Sequence, residues 1–153
     1  MVELLTRSRS TRWSGAAAFV PTVVRVGAGG FFVATGAGKF LDYSHEVDEF
    51  RRFEVPLPDI AVPLVGILEI VGGALLIVGF ATRFAAGTLA LNMVGALLTA
   101  GRVVGGDFHL IYAPTLLVLM LVLVWVGPGR SSVDNHLHRA HARLPKSGDA
   151  RTD

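Results

Sequence analysis

Three polar side chains lie inside long apolar stretches of this sequence. Arg25, Glu69 and Asn92 each lie nine or ten residues inward from one end of their stretch. As helices these stretches would place all three at a depth of about 15 Å, at ~1.5 Å per residue. An unpaired charge at the centre of a bilayer costs roughly 2.5–3.5 kcal/mol. We therefore predict that Arg25 pairs with Glu69 in the bundle interior, with Asn92 supplying further hydrogen bonds.

Such a buried polar layer has two interpretations. Ionisable groups inside membrane segments commonly bind ligands or carry protons, so the layer is a candidate site for a quinone headgroup, a proton or a small anion. Buried polar groups can also do no more than fix the register of packed helices. The residue types alone leave both interpretations open.

Three further polar residues are candidates at the outer mouth of the bundle. Lys39 lies 14 residues after Arg25, close to the same helical face, and either extends a basic track outward or snorkels to the interface. His109 and Tyr112 stand one turn apart at the start of the last apolar stretch. His109 is a candidate proton carrier or quinone contact, since histidine titrates near neutral pH, or else an interfacial hydrogen-bonding residue.

The chain lacks the residues that several other kinds of chemistry would need. The chain has no cysteine, which excludes disulfides, thiolate nucleophiles and Cys-ligated metal centres. Three tail histidines, His136, His138 and His141, could bind a metal, but a basic amphipathic helix on anionic lipid explains them more simply. We predict no metal site, no evident cofactor apart from a candidate quinone, and no nucleic-acid partner.

Four apolar stretches must position these side chains. Only 17% of the residues are charged and the mean hydropathy is +0.55, whereas soluble domains carry about a quarter charged residues. The stretches cover residues 16–40, 59–80, 82–103 and 108–126, each long enough to cross a bilayer as a helix. They predict an all-α transmembrane four-helix bundle over residues 16–127, between an N-terminal segment, 1–15, and a basic tail, 128–153.

The orientation of the bundle follows from its Lys and Arg residues. Nine of them lie on the side that holds both termini and the turn at Arg83, against four on the opposite side. Cytoplasmic loops carry the excess of positive charge. We therefore predict that both termini are cytoplasmic.

The longest connection, residues 41–58, lies on the outer side. Val47, Phe50 and Phe53 recur in it at helical spacing, which predicts a short helix at the outer surface that ends before Pro56. This helix is either a lid over a cavity or an ordinary connector. Inside the bundle, Gly29, Gly36, Gly66 and Gly73 favour close helix packing.

Several of these residues occur together in a known family. Arg25-Val-Gly, Gly36-Ala-Gly-Lys39, Pro56-Leu-Pro, Glu69-Ile-Val-Gly-Gly and Thr82-Arg83 follow one another in the order found in the DoxX family of four-helix bacterial membrane proteins, which residues 20–127 resemble. The resemblance implies a small membrane subunit near redox enzymes. Some relatives belong to a thiosulfate:quinone oxidoreductase, and others are partners in membrane complexes for oxidative-stress defence.

Together these observations predict an accessory subunit of a quinone-linked or oxidative-stress-related oxidoreductase complex in the bacterial plasma membrane. The alternatives are a membrane scaffold or assembly protein with a structural charge layer, and a small-solute or proton transporter. An autonomous enzyme is not expected. The expected partners are the lipid bilayer, redox enzymes and a second copy of the chain.

Overall fold

The computed structural model describes residues 19–103, 108–127 and 132–133, and this part of the chain is helical without strands. A π-helical turn at Phe108–Tyr112 comes directly before the helix Ala113–Val126. The α-helices are α1 (Val20–Leu41), α2 (Tyr43–Arg52), α3 (Pro58–Val78), α4 (Thr82–Leu98), α5 (Ala100–Val103) and α6 (Ala113–Val126).

The long helices are those of a transmembrane bundle. Three segments, Val20–Leu41, Pro58–Val78 and Thr82–Val103, are long and apolar enough to cross a membrane, and Leu110–Val126 forms a shorter apolar helix. Large apolar side chains cover the outside, where Phe84 and Trp125 are 75% and 81% exposed. A bilayer would cover such side chains. The predicted class, an all-α membrane bundle, is confirmed.

Helices α1 and α3 pack antiparallel through two pairs of glycines. A Cβ on Gly29 would lie 2.7 Å from the Gly73 carbonyl oxygen, and one on Gly73 would lie 2.6 Å from the Gly29 carbonyl oxygen. Gly36 meets Gly66 in the same way, at 2.7 Å. The predicted close packing is confirmed, and these two crossings fix the register of α1 along α3.

The remaining spans form a second closely packed pair, α4 and α6. The two pairs meet in an apolar core that includes Phe32, Leu76, Leu89 and Met120. One close contact between α3 and α4 is that of Gly72 with the Leu89 side chain, since a Cβ on Gly72 would be 3.0 Å from Leu89 Cγ. The bundle is therefore two tight pairs joined along a less extensive interface.

Helix α2 is the short helix predicted in the longest connection. Val47 on its inner face and Phe53 just after its last turn are buried. The chain then turns through Glu54 and Leu57, both with positive φ, before α3 begins at Pro58. This tight connection holds α2 against the end of the α1–α3 pair.

A proline inside α3 explains one contact between α2 and α3. Pro63 lies in the helix interior, where it has no N–H for the carbonyl of Asp59. The hydroxyl of Tyr43 donates a hydrogen bond to that same carbonyl oxygen, at 2.8 Å. The side chain from α2 thus satisfies the acceptor that the proline leaves open.

This contact predicts a coupled pair of substitutions. Tyr43→Phe should lower the free energy of unfolding by about 0.5–1.5 kcal/mol, the usual net value of one hydrogen bond. In a Pro63→Ala background the new N–H at position 63 can bond the Asp59 carbonyl, so Tyr43→Phe should cost almost nothing there. Unfolding of the four variants in mixed micelles measures this, and an equal loss in both backgrounds would exclude the proposed compensation.

Candidate functional site

A buried carboxylate on α3 collects polar side chains from two other helices. Glu69 is 4% exposed. Its Oε2 accepts hydrogen bonds from Lys39 Nζ at 2.9 Å and from Thr35 Oγ1 at 3.1 Å. Its Oε1 accepts one from Asn92 Nδ2 at 3.0 Å. We call Glu69, Lys39, Thr35 and Asn92 the polar cluster.

The local helices place these side chains for simple reasons. Thr35 and Lys39 are four residues apart on α1, so they lie one turn apart on the same face. The neighbouring Gly36 allows the backbone of α3 to approach closely at this level, since its missing Cβ would be 3.0 Å from the Glu69 Cβ. Asn92 completes the cluster from the middle of α4. Three helices therefore converge on one carboxylate.

The polar cluster is balanced in charge. Lys39 and Glu69 form an ion pair whose side chains are only 12% and 5% exposed. Each charge needs the other here, because breaking a buried pair leaves an uncompensated charge. Lys39 uses one of its three N–H bonds on Glu69, and among the described residues nothing accepts the other two. Asn92 likewise keeps its Oδ1 and one N–H without a described protein partner.

The predicted pairing of Arg25 with Glu69 is wrong. Arg25 is buried, but its guanidinium lies against Gly79, the residue that ends α3. Gly79 is ten residues beyond Glu69, which is about 15 Å along a helix at ~1.5 Å per residue. Arg25 is therefore not part of the polar cluster.

The error has a physical cause. The prediction counted depth from residue 16, whereas α1 begins at Val20 and its position on α3 is set by the glycine crossings. That register puts Val33 level with Glu69, between Arg25 and Lys39. Long side chains lean towards the N-terminus of their helix, so Lys39 leans towards Glu69 and Arg25 leans away from it. At the end of α3, Arg25 is well placed to offset the partial negative charge of the helix C-terminus.

Two members of the polar cluster were not foreseen in these roles. Lys39 was expected at the outer mouth, yet its ammonium turns inward to the carboxylate. Thr35 was missed altogether. The available signal was a hydroxyl one turn before Lys39 in a mostly apolar helix, next to Gly36.

A cavity of about 640 Å³ adjoins the polar cluster. All four members of the cluster line it, and most of the remaining lining is apolar. Helix α2 and the turn after it line one end through Glu46, Glu49, Phe50, Phe53 and Val55. Pockets for small molecules have this character: a mainly apolar wall with a few polar groups that fix orientation.

The other candidates do not reach this cavity or cannot be placed. The backbone at His109 lies in the π-helical turn before α6, but its side chain is outside the described part of the structure. Tyr112 is 52% exposed and does not line the cavity. The histidines of the tail, like residues 1–18, are also outside the described residues. Where the chain is described, no group of three or more His, Cys, Asp or Glu could hold a metal ion.

Four apolar helices around a buried ion pair define this protein as a multi-pass membrane protein of the helical-bundle class. The chain belongs to the DoxX family, whose model matches residues 20–102. That region contains the whole polar cluster.

A curated relative agrees with this assignment. The chain is 32% identical to the uncharacterized membrane protein Rv3486 of Mycobacterium tuberculosis, over 76% of this chain and 80% of the relative. No solved structure is significantly similar.

Proposed function

We propose that this DoxX-family protein binds the headgroup of a membrane quinone in its cavity, as an accessory subunit of a quinone-linked or oxidative-stress-related oxidoreductase complex. One observation carries the proposal: a charge-balanced polar cluster, with hydrogen-bonding atoms that no described residue uses, lies on the wall of a mainly apolar cavity in the helical bundle.

Charge balance favours a neutral ligand. Lys39 and Glu69 already neutralise each other, so an anionic or cationic ligand would leave a net charge inside the bundle. The free N–H bonds of Lys39 can donate to a quinone carbonyl oxygen. The Oδ1 of Asn92 can accept a hydrogen bond from the hydroxyl of the reduced form. Both the quinone and its reduced form, the quinol, can therefore form hydrogen bonds with the polar cluster.

The size of the cavity fits the same ligand class. Small-molecule pockets have volumes of roughly 300–1,000 Å³, and this cavity has about 640 Å³. The aromatic rings of Phe31, Phe32, Phe50 and Phe53 on its wall can pack against a flat ring. Electrons would come from a partner protein or a bound cofactor, since a chain without cysteine has no thiol pair to carry them.

We further propose, from the distribution of Lys and Arg, that both termini are cytoplasmic and that α2 lies on the outer side. In that orientation the cavity occupies the outer half of the bundle. Arg25 and Arg83 lie at the inner ends of the helices, with their guanidinium groups beside Gly79 and Gly127.

Photolabelling tests quinone binding. In nanodiscs, an azidoquinone should label peptides that contain cavity residues of α1, α3 and α4, and excess unlabelled quinone should suppress the labelling. Gly38→Leu should reduce it, because Gly38 lines the cavity and a Cβ there meets open space. Gly27→Leu is the matched control: it also has open space around its Cβ but does not line the cavity.

Labelling confined to lipid-facing residues such as Phe84 and Trp125, unaffected by Gly38→Leu, would contradict quinone binding. In that case the polar cluster would have only a structural role, and the scaffold alternative would gain support.

A further inference from the structure

The cavity has a side opening between α3 and α4. These helices touch where Gly72 meets Leu89, and the hydrogen bond from Asn92 to Glu69 joins them one turn further on. Beyond that bond, towards α2, α4 has open space on this side, since a Cβ on Gly95 would meet nothing within 4 Å.

Residues at this opening face both the cavity and the outside. Leu91 and Gly95 are one turn apart on α4, and both line the cavity while being exposed at the bundle surface, Leu91 by 73%. Val65 lines the cavity from α3 and is half-buried. The opening therefore has an apolar rim and lies at the surface that lipid chains contact.

The other end of the cavity is unsuitable for an apolar chain. Glu46 and Glu49 of α2 line it, and Glu49 accepts a hydrogen bond from Arg52 at 2.7 Å. An alkyl chain that left the cavity there would pass charged groups and water. Between α3 and α4 the same chain would pass directly into hydrocarbon, with no exposure of apolar surface to water.

We propose that the ligand carries a long alkyl or isoprenoid chain that leaves the cavity between α3 and α4, at Leu91 and Gly95, and extends into the bilayer. This inference rests on the proposed binding of a neutral quinone headgroup at the polar cluster. It assigns the headgroup to Lys39 and Asn92 and the chain to the side opening, so that the ligand enters laterally from the membrane.

The test compares quinones with and without a chain. A benzoquinone and a naphthoquinone, each as the bare ring and with a decyl chain, are titrated against the full chain in nanodiscs of one lipid composition. Gly95→Leu should weaken binding of the decyl quinone by about tenfold, as expected when a side chain is forced into an occupied space, and should leave the bare ring within about twofold. Gly87→Leu is the matched control on α4, because Gly87 also has open space around its Cβ but does not line the cavity.

A second measurement distinguishes a blocked opening from a general change in the bundle caused by Gly95→Leu. A quinone with a photoreactive diazirine on the part of its chain next to the ring should label peptides at Leu91 and Gly95 more than the lipid-facing Phe84 on the same helix. Equal effects of Gly95→Leu on chain-bearing and bare quinones, or labelling at α2, would overturn the side opening while leaving quinone binding intact. Failure of the wild-type chain to bind any of the four compounds would instead contradict the proposed function.

Discussion

Replacing Lys39 by Met should lower the free energy of unfolding by about 3–5 kcal/mol, the usual cost of breaking a buried ion pair. The substitution leaves the Glu69 carboxylate buried without a cation. Glu69→Leu should cost a similar amount, because it leaves the ammonium of Lys39 alone. The double variant should recover most of the loss, since two apolar side chains of similar volume replace two balanced charges. Denaturation by SDS in mixed micelles measures all three.

An exposed ion pair provides the control for this cycle. Arg52 and Glu49 on α2 lie 2.7 Å apart, but their side chains are 69% and 26% exposed. Arg52→Met should therefore cost only about 0–1 kcal/mol. If the losses from the Lys39 and Glu69 substitutions simply add in the double variant, the two residues are not coupled and the ion pair does not stabilise the bundle.

Gly29→Ala should destabilise the protein by about 1–3 kcal/mol, the typical cost of forcing extra atoms into a packed interface. The new methyl group would collide with the backbone of α3 at Gly73, which cannot move without separating the helices. The next residue along the chain should behave differently. Gly30 has open space around its Cβ, so Gly30→Ala should be neutral or slightly stabilising, by up to about 1 kcal/mol.

The same contrast is expected one crossing further along α1. Gly36→Ala should destabilise the bundle because of the Gly66 carbonyl, whereas Gly38→Ala should not. Thermal unfolding of the four purified variants checks both pairs. Equal melting temperatures within each pair would mean that α1 and α3 do not approach as closely as the structure shows.

The fold could be predicted because each span carries its own signal. A run of about 20 apolar residues indicates a membrane helix without reference to the rest of the chain, and α1, α3 and α4 follow those runs to within a few residues. The helical spacing of Val47, Phe50 and Phe53 likewise predicted α2. Glu69 and Asn92 stood out as polar residues in apolar surroundings, and the hydrogen bond between them is present.

The partner of Glu69 could not be obtained in the same way. It depends on how far one helix slides along another, because the crossings leave Lys39 six residues and Arg25 eight residues from the level of Glu69, on opposite sides. Depth counting cannot resolve so small a difference when the ends of a span are uncertain by four residues. The glycine crossings at Gly29 and Gly36 do resolve it, but only once their partners on α3 are known.

The cavity could not be predicted from the sequence either, because its lining comes from several helices whose mutual placement the sequence does not give. Small residues such as Gly95 predict close packing as readily as open space, and only the structure distinguishes the two. At Gly36 the glycine admits another helix, whereas at Gly95 the space stays open. Helix α2, predicted as either a lid or an ordinary connector, lines one end of this cavity. Which of the two roles it has stays a prediction.

Quinone affinity of the Lys39→Met/Glu69→Leu double variant shows whether the polar cluster is a binding site. This variant is expected to fold and to keep a cavity of similar volume, but it loses the ammonium that donates to the quinone carbonyl. Binding of a decyl quinone in nanodiscs should weaken by about tenfold or more, as expected for a lost hydrogen bond to a charged group. Unchanged affinity in a folded double variant would contradict the claim.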